Sequence, residues 1–346
     1  MSTSSAPATG GSMTSPQPAA TERRGRAAGT WDRISRNPTL GLLALLLVMW
    51  ALAWILVPKF GSVDNIRTVL RQASDLGVAA IGILFVLLIG GIDLSVGALY
   101  GLSSVVLVTV MIQTGSLPLA IAAALGAGVL FGLLNGVLVQ WVRIPAFITT
   151  LGGFYIAYAL AQMISAGSML SMPADDLFVG LQTGLLLGIP YLVILAATVA
   201  AIAWVVLNHT TFGRSVVAVG YNRVTAGLSG VRVPRIVITC FAICSGMAAL
   251  AAVMLTSRVQ IGVPTLGGFN ATFETITAAV VGGTSLFGGR GTVVGVIIGA
   301  IIIRTINNCI ILLNIPSQLY QAVMGLIIVV ALVVDAARSR YLGERT

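Results

Sequence analysis

The stretch Leu88-Ile89-Gly90-Gly91-Ile92-Asp93-Leu94-Ser95-Val96-Gly97 sets a carboxylate inside a long apolar run. From Leu76 to Ile112 Asp93 is the only formal charge. A straight helix over those residues would be about 55 Å long, against about 30 Å of bilayer hydrocarbon. The chain must therefore turn or break near the middle, and Gly90-Gly91 is where the backbone has the freedom to do so. Asp93 then falls at a helix start, where a carboxylate caps free N–H groups and meets the positive end of the helix dipole, with Ser95 beside it. The competing reading makes Asp93 a polar element of a transport path, and the two are compatible.

Working outward, apolar residues make up 57% of the 346 and charged residues only 8%. Soluble domains carry about 25% charged residues, so a core this apolar has no polar surface to wrap it and its solvent is lipid. The net charge of +9 does not point to nucleic acid, because the arginines cluster between apolar runs. The cysteines, Cys240, Cys244 and Cys309, sit in apolar runs and read as small packed hydrophobes. One histidine, His209, is too little for a zinc site or a Ser-His-Asp triad.

Read with a ruler of about 20 residues per crossing, the chain is an all-α polytopic membrane protein. Ten spans are expected, at 40–57, 72–91, 95–114, 118–141, 145–165, 185–207, 234–256, 271–288, 292–313 and 317–335. Residues 1–38, rich in Ser, Ala, Thr, Pro and Gly, read as a disordered cytoplasmic tail, 39–336 as the membrane domain and 337–346 as a second cytoplasmic tail. The first apolar run carries no cleavage signal and reads as a retained helix. With both termini in the cytoplasm, 14 of the 19 basic residues fall inside. Lys59, Arg67, Arg71 and Arg258 fall outside or at the outer interface, and Arg304 lies within a span.

An internal echo suggests an inverted repeat of two five-helix halves. Asn135 precedes Pro145 by ten residues and Gly153 follows it by eight; Asn307 precedes Pro316 by nine and Gly325 follows it by nine. The Gly-rich stretch Val281–Gly291 does not obey that shift relative to Gly90-Gly91, and it lacks the Lys-Ser/Thr of a phosphate-binding P-loop.

The polar residues inside spans, Asp93, Glu274 and Arg304 with the amides Asn135, Asn307 and Asn308, are the candidates for path-lining or helix-pairing roles. Ser95, Thr149, Thr150, Thr284 and Ser285 serve as helix–helix hydrogen bonding or as hydroxyl-binding groups. So few charges suit a neutral polar cargo better than an ion. The loop at 208–233 is the longest internal one on the cytoplasmic side; in it Asn222 is placed to cap a short helix over Val224–Ser229, ended by Gly230, a shape suited to docking a partner protein.

Four stretches, GGIDLSVG (90–97), NGVLVQWVRIPAFITTLG (135–152), FGRSVVAVGYNRVTAGLSGV (212–231) and VGGTSLFGGRGTVVGVIIGA (281–300), resemble the permease subunits of bacterial ABC importers for ribose, xylose and similar monosaccharides. The resemblance covers residues 40–335. It implies a pathway subunit in the inner membrane, present as two copies. A cytoplasmic ATPase, with two nucleotide-binding modules in one chain, would hold ATP and Mg, and a periplasmic or lipid-anchored binding protein would deliver the sugar. This chain would bind no cofactor, catalyse no hydrolysis and work by alternating access, with Arg214, Gly220, Asn222, Thr225, Ala226 and Gly230 in the coupling loop. Relatives of this kind carry Ala-Ala where Thr225-Ala226 stand, preceded by acidic residues where this chain has Arg223-Val224. A nucleoside or branched-chain amino acid permease and an ion-coupled secondary transporter are the alternative readings.

Overall fold

The computed structural model describes residues 38–341. The expected N-terminal tail lies outside them, except Pro38, which opens the first helix. The main helices are α1 (Pro38–Leu56), α2 (Val63–Leu88), α3 (Val96–Thr114), α4 (Leu117–Val137, continued by a π turn over Leu138–Val142) and α5 (Ala146–Ile164). A short α6 (Asp176–Thr183) precedes α7 (Tyr191–His209), α8 (Thr211–Tyr221), α9 (Arg223–Leu228) and α10 (Val233–Val259). Then come α11 (Gly268–Val281), α12 (Val293–Leu312) and α13 (Ser317–Tyr341). Two-residue strands form two small antiparallel pairs, β1 (Leu170–Ser171) with β4 (Ile261–Gly262) and β2 (Leu185–Leu186) with β3 (Ile189–Pro190).

Eight helices among the described residues are long and apolar enough to cross a bilayer. One of the other two expected spans is corrected. The one at 271–288 is the 14-residue α11, about 21 Å long and too short to cross. Gly282-Gly283, with Gly283 at φ 87°, end it, and the following loop folds back onto Leu88. The span expected at 317–335 lies in α13, a 25-residue helix whose apolar sequence runs on through Ala331-Leu332-Val333-Val334 before Asp335. The span expected at 72–91 begins earlier, at Val63, where Ser62 caps the helix by accepting from Asn65 N–H.

At the centre lie α3 and the part of α2 from Ala73 onward, both largely buried, flanked by α10, α4, α11 and α12. Neighbour relations repeat under a shift of five main helices. The pairs α2–α12 and α10–α4 correspond, as do α2–α11 with α10–α3, α3–α4 with α11–α12, and α3–α5 with α11–α13. The echo is thus present in packing. It is not carried by the glycines, for Gly153 packs on the Asn135 amide while Gly325 faces open space.

Candidate functional site

The break anticipated at Gly90-Gly91 is present. Gly90, at φ 71°, and Gly91 donate back to Leu87 and Val86 carbonyls and close α2. The chain then runs non-helical through Ile92–Leu94 to the start of α3. Irregular backbone at membrane depth survives only inside protein that satisfies its polar groups. Two threonines do so. Thr150 on α5 accepts from Leu94 N–H at 3.0 Å and lies 3.3 Å from Ile92 O. Thr272 on α11 accepts from Gly97 N–H at 3.0 Å and donates toward Leu94 O at 3.2 Å. The starts of α3 and α11 therefore meet, and a Cβ on Gly97 would overlap the Gly268 carbonyl.

Asp93 is fully buried there. Its Oδ1 accepts from Ser95 N–H at 2.9 Å and Ser95 Oγ–H at 2.6 Å, an Asx turn that opens α3. Ser95 Oγ in turn accepts from Asn135 Nδ2 at 3.1 Å, and the Cys244 thiol lies beside the carboxylate. Asp93 and Ser95 sit together as expected, and Asn135 joins them in one buried hydrogen-bonded chain; among the described residues none of the three lines the two large cavities described below. Thr149 is buried, but its neighbour Thr150 makes the bonds. Thr272 went unrecognised, because nothing in its local sequence shows that it faces a break 175 residues away.

Thr284 and Ser285 are in another place. They shape the 282–291 loop, where Ser285 N–H donates to Arg290 O and Ser285 Oγ accepts from Phe287 N–H. That loop packs on the end of α2, with Gly289 N–H donating to Leu88 O at 2.9 Å, so the two Gly-rich stretches meet each other.

Glu274 and Asn307 belong to a third cluster. Glu274 forms an ion pair with Arg304 at 3.0 Å and accepts from the Tyr320 hydroxyl at 2.9 Å; Asn307 lies beside Tyr320. Arg304 also donates to Gln72 O. A second ion pair, Asp75–Arg258 at 3.0 Å, ties α2 to α10. Asp75 was not singled out, since a single acidic residue at a span edge reads as interfacial; Arg258, expected at the outer interface, is its partner.

Glu274 opens onto a cavity of about 530 Å³ between α11 and α13. Its polar lining is Asn270, Gln318, Gln321 and Tyr320, with Phe273 as its aromatic wall. Rings continue toward α5, where Phe154 stacks on Phe269 at 4.0 Å. The one carboxylate is neutralised by Arg304, so among the described residues the cavity presents amides, a phenol and a ring but no uncommitted cation. Asn270, Phe273, Gln318 and Gln321 were missed; one polar residue per turn is an ambiguous signal until α11 and α13 are seen to face each other.

The segment expected to couple holds two helices rather than one. Thr210 caps α8 through Gly213 N–H, and the spacing of Phe212, Val216 and Val219 was the available sign of it. Asn222 caps α9 as anticipated, accepting from Thr225 N–H at 2.9 Å. Ala226 is buried, and Gly230, at φ 85°, ends the turn. Arg214 lies in α8, and Gly220 packs tightly against the Leu88 carbonyl. Arg223 donates to Ile89 O at 3.2 Å, so α8–α9 rest directly on the turn that leads to Asp93.

Comparison with known proteins places this architecture. A family model described as "Branched-chain amino acid transport system / permease component" matches residues 65–332. The ribose import permease protein of Haemophilus influenzae is 37% identical over 87% of this chain and 92% of its own. The L-arabinose ABC transporter permease protein of Azospirillum brasilense is 35% identical over 94% and 95%, and the fructose import permease protein of Rhizobium meliloti 35% over 85% and 84%. No solved structure matches. With its apolar crossings and this likeness over nearly its whole length, the chain is a multi-pass protein of the bacterial inner membrane and belongs to the permease-component family of ABC import systems.

Proposed function

We propose that this chain is the pathway subunit of an ATP-driven importer for a neutral monosaccharide. Two copies form the path. A cytoplasmic ATPase with twin nucleotide-binding modules, holding ATP and Mg, docks at α8–α9, and a periplasmic or lipid-anchored binding protein delivers the sugar. Both termini lie in the cytoplasm, and the chain itself binds no cofactor.

The observation that carries the sugar assignment is the lining of the α11–α13 cavity. Amides and a phenol offer donors and acceptors to hydroxyl groups, and the Phe273 ring offers a face to sugar C–H groups. A zwitterionic amino acid would need a cation for its carboxylate, and Arg304 is committed to Glu274. The relatives named for ribose, arabinose and fructose agree with this reading over the one in the family description.

The test is uptake into proteoliposomes holding the permease and its ATPase, fed by the binding protein. Labelled ribose, arabinose, fructose and leucine are compared. ATP-dependent uptake of one of the sugars, reduced about tenfold or more in Gln321→Ala or Phe273→Ala with ATPase binding unchanged, is expected. Preferential leucine uptake, or uptake driven by an ion gradient without ATP, would overturn it.

A further inference from the structure

A second cavity, of about 650 Å³, opens at the end of the molecule where α4 passes into α5 and where α8 meets α9. Arg143 and Arg223 line it, together with Gln140, Tyr221 and Asn222, and the Ile89–Gly90 turn forms a wall. Among the described residues no carboxylate lines it. The imbalance extends beyond the cavity: segments 138–146, 208–235 and 282–292 together carry six arginines and no Asp or Glu.

Arg143 is held at its mouth in an uncommon way. It terminates the π turn in the left-handed region, at φ 63°, where a long side chain has no intrinsic preference to be. Arg223 has one N–H anchored on Ile89 O. Around the cavity the α9 surface is exposed and apolar, with Val224 at 72% and Leu228 at 86% exposure. A cationic socket bordered by apolar anchors is complementary to an acidic side chain on a protein surface, because a guanidinium pairs with a carboxylate in two parallel bonds.

We propose that this socket receives an Asp or Glu side chain of the ATPase, clamped between Arg143 and Arg223. The proposal rests on the reading that α8–α9 dock the ATPase. It adds that the permease receives an ATPase group as well as presenting a helix. Because Arg223 is bonded to Ile89, a pull on the clamped carboxylate acts on the turn four residues before Asp93.

The chain has a single lysine, Lys59, which lies beyond the far end of α2, a helix about 39 Å long, from Ile89. Arg143→Lys and Arg223→Lys therefore introduce the only side-chain amine near the socket while keeping its charge. The assembled permease–ATPase complex is treated with a water-soluble carbodiimide, which joins an amine to a carboxylate in contact with it. Each variant is expected to give a permease–ATPase adduct that mass spectrometry maps to an ATPase Asp or Glu, absent from the parent complex. Arg143→Glu should reduce co-purified ATPase about tenfold or more, and exchanging the mapped carboxylate for Lys should restore it. Normal co-purification with no adduct in either Lys variant, or an adduct to an acidic lipid instead, would overturn the socket and leave the importer reading standing. Failure of the parent chain to bring down any ATPase would overturn both.

Discussion

Ser95 gives Asp93 two hydrogen bonds at once, its amide N–H at 2.9 Å and its hydroxyl at 2.6 Å, both to Oδ1. The carboxylate is thereby used to start α3 and, through Asn135, to tie α3 to α4. Asp93→Ala removes the acceptor and leaves two buried donors behind, a loss of about 3 kcal/mol. Asp93→Asn keeps an acceptor at Oδ1 and is expected to lose less. Monodispersity after heating in detergent should rank parent, Asn and Ala in that order, with sugar selectivity unchanged in whatever folds. A well-folded Ala variant with altered selectivity would return Asp93 to the path.

The Glu274–Arg304 pair is half-buried and supported by Tyr320. Removing one partner strands the other, so Glu274→Gln or Arg304→Met alone should cost about 3 kcal/mol, and the double replacement should recover most of it. Thermal unfolding of the four proteins in one detergent measures that coupling. Additive losses would show that the pair contributes nothing.

Gly97 lies where α3 meets α11, against the Gly268 carbonyl, whereas Gly126 on α4 faces open space. Gly97→Ala should push the two helix starts apart and lose more than about 3 kcal/mol or fail to fold. Gly126→Ala should remain within about 1 kcal/mol of the parent. Folded yield from fluorescence-detected gel filtration separates the two.

Asn222 joins α8 to α9. Its N–H donates to Ala218 O, its side chain caps α9, and its φ of −161° is closed to proline. Asn222→Pro should disrupt the junction and abolish stimulation of ATP hydrolysis by sugar-loaded binding protein, with the membrane helices intact by circular dichroism. Normal stimulation would remove α8–α9 from the coupling role.

Orientation is accessible through single cysteines. Cys240 and Cys244 are buried, Cys309 is partly exposed and is first replaced by Ser, and Leu187 and Ser229 are exposed. A membrane-impermeant maleimide should label Leu187→Cys in intact spheroplasts and Ser229→Cys only after permeabilisation. The reverse pattern would invert the topology.

What the sequence determined by itself follows from local physics. Apolar run length marks α1, α7 and α10, because each helix satisfies its own backbone in lipid whatever its neighbours are. Gly90-Gly91 marks the end of α2, since its charge-poor continuation is too long to remain one helix. Asn222 and Gly230 mark the ends of α9, because caps act within four residues. What only the tertiary structure decided depends on which helix faces meet. Thr272 and Thr150 satisfy the Ile92–Leu94 backbone from α11 and α5. Asp75 finds Arg258, and Arg304 finds Glu274. The amides of α11 and α13 come to share one cavity. Each of these joins residues on separate helices, and hydropathy, which places a helix in the membrane, carries no information about the direction its polar side chains face.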